Sequence, residues 1–148
     1  MEMRIHETKK HTVGDVKKIL REMDKKMGTD FAKLEVKVSK RMTRALGSAV
    51  CGVKYDRFTN KITKITPLQF KFSYFFLNAM LTDDQFRQIV VHEWTHLYAN
   101  NLHQDNVGHD SRYKKACKDI GYKEISGMYC DREIGWAFRK AISNYKLK

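Results

Sequence analysis

Apolar and polar positions along the chain fall into readable periods. Val16, Ile19, Leu20, Met23 and Met27 recur at three- and four-residue spacing, which predicts an amphipathic helix over 14–27 with Gly28 as its stop. Residues 33–39 alternate instead. Leu34, Val36 and Val38 point one way and Lys33, Glu35 and Lys37 the other, the pattern of a half-buried strand. A second strand is predicted over 48–55, followed by a turn at Asp56-Arg57-Phe58-Thr59-Asn60. Alternation resumes over 61–66, with a slip in register. Pro67 has no N–H for a ladder, so this strand is expected to end there or to lie on an edge. Residues 68–76 are compatible with a strand extension or with an ordered aromatic segment.

The next element is the clearest. Thr82-Asp83-Asp84-Gln85 has the form of a capping box, and its two aspartates suit the positive end of a helix dipole. An amphipathic helix is expected from about 83 to 100, ending near Asn100-Asn101. A loop of about ten residues and a helix over 110–120 closed by Gly121 follow, and 131–145 reads as a last helix through Ile134, Ala137, Phe138, Ala141 and Ile142. The sum is an α+β domain over 1–148: an N-terminal helix, a three-stranded sheet, then helices.

Composition narrows the class. With 148 residues there is room for one core, and 42% hydrophobic residues suffice to fill it, which excludes a wholly disordered chain. No apolar run reaches membrane-spanning length, and the N-terminal residues do not resemble a signal peptide, so the expected compartment is the cytoplasm. Cys51, Cys117 and Cys130 are too few and too scattered for a disulfide framework or a cysteine zinc site, and are expected to be reduced. Lysine and arginine exceed aspartate and glutamate by 29 to 17, a net charge of +12. Such an excess attracts polyanions, and DNA contact through a basic surface is an expectation set against a simply solvated one.

The chemistry lies in one helix. His92-Glu93-Trp94-Thr95-His96 is H-E-x-x-H. On a helix the two histidines lie one turn apart on one face, so both imidazoles can hold a single ion. Glu93 is offset by about 100° and can act on a metal-activated water from the side without being a ligand. In a chain of this composition about 0.01 such motifs are expected by chance, and the predicted helix supplies the context the motif needs. Trp94 is offset from the histidine face by about 160° and is expected in the core. Catalytic zinc needs a third protein ligand and an open fourth position. His109, after Gly108 and just before the next helix, is placed to supply it. His103, a carboxylate such as Asp119 or Glu124, and more remotely His6 or His11 are the alternatives. Tyr113 is expected to pack against the metal helix, with steadying of a ligand through its hydroxyl as the sharper role.

These residues resemble the SprT-like family of zinc metalloproteases. The resemblance rests on Arg44-Ala45-Leu46-Gly47-Ser48-Ala49, on His92-Glu93-Trp94-Thr95-His96-Leu97, and on Gly108-His109-Asp110-Ser111-Arg112-Tyr113, and it covers about residues 12–122. It implies a small zincin-like core, a Zn2+ held by His92, His96 and His109, Glu93 as catalytic base, and a protein substrate. For the family's eukaryotic members it implies cleavage of proteins bound to DNA. The cysteine zinc ribbon that many relatives carry after the core has no counterpart in this sequence. A reading from another class is a basic nucleic-acid-binding module with a structural zinc and no protease activity.

Overall fold

The computed structural model describes residues 7–121 and 132–147. Helix α1 spans Val13–Met27, and the strands are β1 (Glu35–Ser39), β2 (Gly47–Tyr55) and β3 (Ile62–Ser73). The short helix α2 (Tyr74–Leu77) follows, then α3 (Asp83–His103), α4 (Ser111–Asp119) and α5 (Arg132–Lys146). Five helices and a three-stranded sheet make the α+β class read from the pattern.

α1 forms where its apolar stripe predicts, and the chain adds a start signal. The Asp15 N–H donates to Thr12 Oγ1 at 3.2 Å, and the Thr12 N–H donates to Asp15 Oδ2 at 2.9 Å, a complete capping box. Gly28 closes the helix at φ 69°, a left-handed position that only glycine takes without strain. Val16, Leu20 and Met23 then sit in the core beside Trp94 and Leu97 of α3.

The sheet order is β1-β3-β2, with β1 parallel and β2 antiparallel to β3. β3 decides between the two expectations at Pro67: the strand does not end there, and the proline lies on a local edge. The strand continues through the proline to Ser73, taking in most of the undecided 68–76 segment, and then turns directly into α2. Two features make this possible. β1 pairs only with residues 69–73, so at Pro67 the strand has β2 alone as a neighbour. The register also shifts between Val50 and Cys51, passing from Gln69 to Pro67, so the proline lies at a bulge.

The bulge keeps a single face inward. Ile65, Phe70 and Phe72 are buried on it. Lys64 and Lys71 alternate to the other side, paired with Lys54 and Ser48 of β2. α5 docks through Ile134, Ala137 and Phe138, and Gln85 Nε2 at the start of α3 donates to Glu133 Oε2 at 2.8 Å. No described helix is long and apolar enough to cross a membrane.

Candidate metal centre

α3 begins as its sequence predicts. The Gln85 N–H donates to Thr82 Oγ1 at 3.1 Å, and the Thr82 N–H donates to Gln85 Oε1 at 2.9 Å. The helix runs past Asn100-Asn101, however, to His103. The side chain of Asn100 caps the following loop instead, its Oδ1 accepting from the Val107 N–H at 2.9 Å. Gln104 ends the helix at φ 49°, and its side-chain amide is held by the sheet: Oε1 accepts from Ile65 N–H at 2.9 Å and Nε2 donates to Ile65 O at 3.1 Å. Those bonds offset the strain of a left-handed non-glycine residue.

α3 is also not a surface helix with one apolar stripe. Gln85, His92, Glu93 and Thr95 are buried along with Phe86, Ile89, Val90, Trp94 and Leu97, so the helix is wrapped on most sides. Two polar groups in it are satisfied internally. Thr95 Oγ1 donates to Val91 O at 2.7 Å. Trp94 Nε1 donates to Asp24 Oδ1 at 3.1 Å, so the tryptophan lies in the core as expected, with its one polar atom paired. Asp24 also accepts from Thr29 Oγ1 and the Ala32 N–H, both at 2.6 Å.

The three imidazoles converge. His96 Nε2 lies 3.1 Å from His92 Nε2 and 3.2 Å from His109 Nε2, and the remaining His92–His109 separation is 3.4 Å. Nitrogens bound tetrahedrally at about 2.0–2.1 Å from one zinc ion lie about 3.3–3.4 Å from each other. The donor set therefore fits a single ion, and these three residues can hold one. Among the described residues no other group of histidines, cysteines and carboxylates converges in this way.

The loop that brings His109 back is built for the purpose. Val107 is buried with Ala99, Tyr113, Ala116 and Cys117 in a small second core beneath it. Gly108 has φ 60°, and a Cβ there would meet nothing within 4 Å. The glycine is thus required by backbone conformation rather than by space. Asp110 caps α4, accepting from the Arg112 N–H at 2.8 Å and the Tyr113 N–H at 3.4 Å. Arg112 donates to Asp110 Oδ2 and, at 2.9 Å, to Asp105 Oδ2, and holds both carboxyls below their ordinary range. His109 is left exposed at the tip of this braced segment.

Tyr113 is the point on which the histidines rest. Its buried hydroxyl lies 2.8 Å from His92 Nδ1. With the ring proton on Nδ1, His92 donates to the hydroxyl oxygen and keeps the Nε2 lone pair for an ion. The Tyr113 ring stacks on His96 at 4.5 Å between centroids and meets His109 edge-on at 5.1 Å. Both roles considered for this residue, packing and steadying, coexist in one side chain.

Burial tunes the protonation of the site. It lowers His92 to about 4 and His96 to about 3, with the neighbouring imidazoles adding to the shift, so both rings are neutral near pH 7, the form that binds metal. Burial raises Glu93 to about 8. Its carboxyl has no hydrogen-bond partner among the described residues, and its stem is packed against the start of β2. A Cβ on Gly47 would stand 3.2 Å from Glu93 Cγ and 2.7 Å from Phe72 Cδ1, so only glycine lets strand, core ring and glutamate share this space.

The remaining sequence candidates lie elsewhere. His103 is exposed at the last position of α3, because the helix continues and no chain reversal brings it back. His11 is buried against Phe86, its Nε2 3.0 Å from Asp83 Oδ1. Asp119 pairs with Lys115 at 3.4 Å. His6, Glu124 and Cys130 lie outside the described residues. Cys51 and Cys117 are free thiols. The Gly47 contact and the Asp24–Trp94 bond were not anticipated from sequence. The first had a signal in the glycine of the small-residue stretch; the second had none.

No curated protein and no solved structure gives a significant match to this chain. The sequence model of the SprT-like family matches residues 16–132, more than three-quarters of the chain and every element of the metal centre, and the protein belongs to the SprT-like family.

Proposed function

We propose that this chain is a zinc-dependent endopeptidase. The observation that carries the reading is the convergence of three Nε2 atoms, 3.1 to 3.4 Å apart, beside a buried glutamate with no hydrogen-bond partner among the described residues. His92, His96 and His109 would hold the ion, which when bound supplies Lewis-acid polarisation of a carbonyl and acidifies water. Glu93 takes the proton from the attacking water on a carboxylate oxygen and delivers it to the leaving nitrogen. An environment that raises its proton affinity toward neutrality suits both transfers. Tyr113 fixes the His92 ring, and the Asp105–Arg112–Asp110 brace fixes the loop of His109.

The substrate side of the site is offered by β2. Among the described residues this strand has one hydrogen-bonded neighbour, and its first residue abuts Glu93. A peptide added in extended form to the free edge would pass the glutamate with its backbone aligned by main-chain bonds. A structural metal site would use four protein ligands and would give Glu93 no role. Three ligands and a buried carboxyl favour catalysis over the nucleic-acid-module reading.

The test pairs metal content with turnover. Glu93→Gln should keep one zinc per chain and lose about 10²- to 10⁴-fold in hydrolysis of an unfolded protein substrate. His109→Ala should lose the metal, while His103→Ala should retain it. Full activity in Glu93→Gln, or full zinc in His109→Ala, would overturn the assignment.

A further inference from the structure

A cavity of about 360 Å³ lies between α2 and the end of α5, and no residue of the metal centre lines it. Its apolar walls are Tyr74 and Phe75 of α2, Ala141 and Tyr145 of α5, and Leu147 just beyond that helix. Such a volume, with apolar walls and a few polar groups, is typical of a ligand site. Tyr145 is 45% exposed and Leu147 85%, so the cavity opens to solvent.

The polar groups around it have bonding capacity to spare. Asn78 spends its Nδ2 on Tyr74 O at 2.8 Å, which leaves Oδ1 able to accept. Asn144 makes no side-chain hydrogen bond among the described residues. Lys10 lines the cavity from a segment pinned on either side of it. The Lys9 N–H donates to Leu81 O at 2.9 Å, and the His11 N–H donates to Leu77 O at 2.8 Å. Lys40 adds a second positive charge, its ammonium 5.0 Å from the ring centre of Tyr74 and 5.7 Å from that of Tyr145. Neither lysine has a carboxylate at ion-pair distance among the described residues, and none of the described carboxylates lines the cavity.

We propose that this cavity binds an acidic peptide segment of a partner protein by taking in one leucine or phenylalanine side chain. Tyr74, Phe75 and Tyr145 meet edge to face, 5.4 to 5.8 Å apart and inclined by 70 to 85°. Three mutually steep rings make a corner that packs a compact apolar group. They offer no pair of parallel faces between which a nucleobase could slide. The amides of Asn78 and Asn144 can bond the main chain of a segment that stays outside. Carboxylates flanking the inserted residue meet Lys10 and Lys40, which have no such partner in this chain. The inference concerns binding alone and stands independently of the metallopeptidase reading.

The experiment measures fluorescence anisotropy of a labelled hexapeptide, leucine and phenylalanine between two pairs of aspartates, against the full chain. A second peptide carries lysines in place of the aspartates. The aspartate peptide should bind about tenfold more tightly. Lys10→Glu should weaken the aspartate peptide about tenfold and tighten the lysine peptide. Tyr145→Ala should weaken the aspartate peptide about tenfold, whereas Tyr145→Phe keeps the ring and the affinity. Circular dichroism checks that each variant is folded, and Lys10→Glu carries the test if Tyr145→Ala is not. No binding of the aspartate peptide, equal affinity for the two peptides, or parental affinity in both Lys10→Glu and Tyr145→Ala would overturn the site. Thymidine monophosphate binding there more tightly than the peptide would overturn the assignment to a peptide.

Discussion

The two faces of the sheet are made from the same three strands and obey opposite rules. On the inner face, Phe70 and Phe72 have no exposed surface, and Gly47 has no room for a methyl group between Phe72 and Glu93. On the outer face, adjoining positions of the same strands carry Lys37, Lys71, Lys54 and Lys64, in pairs that repel. The inner face is specified by volume and the outer by charge. One residue along a strand therefore separates a position that sets the fold and the metal centre from one that sets only what approaches the surface.

The widest gap between the faces should appear at neighbouring residues of β3. Phe72→Ala should cost about 3–5 kcal/mol of folding stability, whereas Lys71→Ala should stay within about 0.5 kcal/mol, as read by denaturant titration. Equal losses would erase the distinction. Gly47→Ala comes next. Its methyl group must displace Phe72 or Glu93, at about 1–3 kcal/mol, and peptide hydrolysis should fall further than the remaining folded fraction explains. Activity that merely tracks stability would mean that Gly47 does not position the glutamate.

The smallest effect should be on pH dependence, and it belongs to the inner side alone. In the metal-free protein His92 and His96 titrate near 4 and 3, below the ordinary 6.5, so between about pH 4.5 and 6.5 the unfolded chain holds protons that the folded chain refuses. Glu93, raised to about 8, works the other way, keeping a proton in the folded state that the unfolded chain releases above about 4.5. Two groups oppose one below 6.5, so stability should rise with pH there. Above 6.5 Glu93 dominates, and stability should decline toward 8, with slopes of at most about 1.4 kcal/mol per pH unit, the value for a net difference of one proton. A monotonic profile across pH 5–8 would show that these groups do not govern it.

Much of this was legible in the sequence, and the reasons for the remainder are local. The capping box at Thr82–Gln85, the stripe of α1 and the H-E-x-x-H spacing are short-range patterns, and each led to the right element. Pro67 left two outcomes open, a strand end or an edge, because its effect depends on which neighbours the strand has at that point; β1 stops short of it, and the edge is what forms. The end of α3 was misplaced because Asn100 and Asn101 read as stop signals. Asn100 spends its side chain on Val107, and the true stop, Gln104, is secured by Ile65, 39 residues away. The position of Tyr113 after the ligand loop hinted at packing. That its hydroxyl meets His92 Nδ1 depends on how α4 sits against α3, which no spacing encodes.

Asp24 carries a consequence for how such a centre can be moved or rebuilt. One carboxylate on α1 gathers the indole N–H of the motif helix together with two donors from the chain reversal after α1. Grafted into another scaffold without that helix, the five-residue signature would arrive with a stranded tryptophan nitrogen and no seat for its ring. The motif is thus not a portable cassette, and its minimal heritable unit begins with the first helix of the chain.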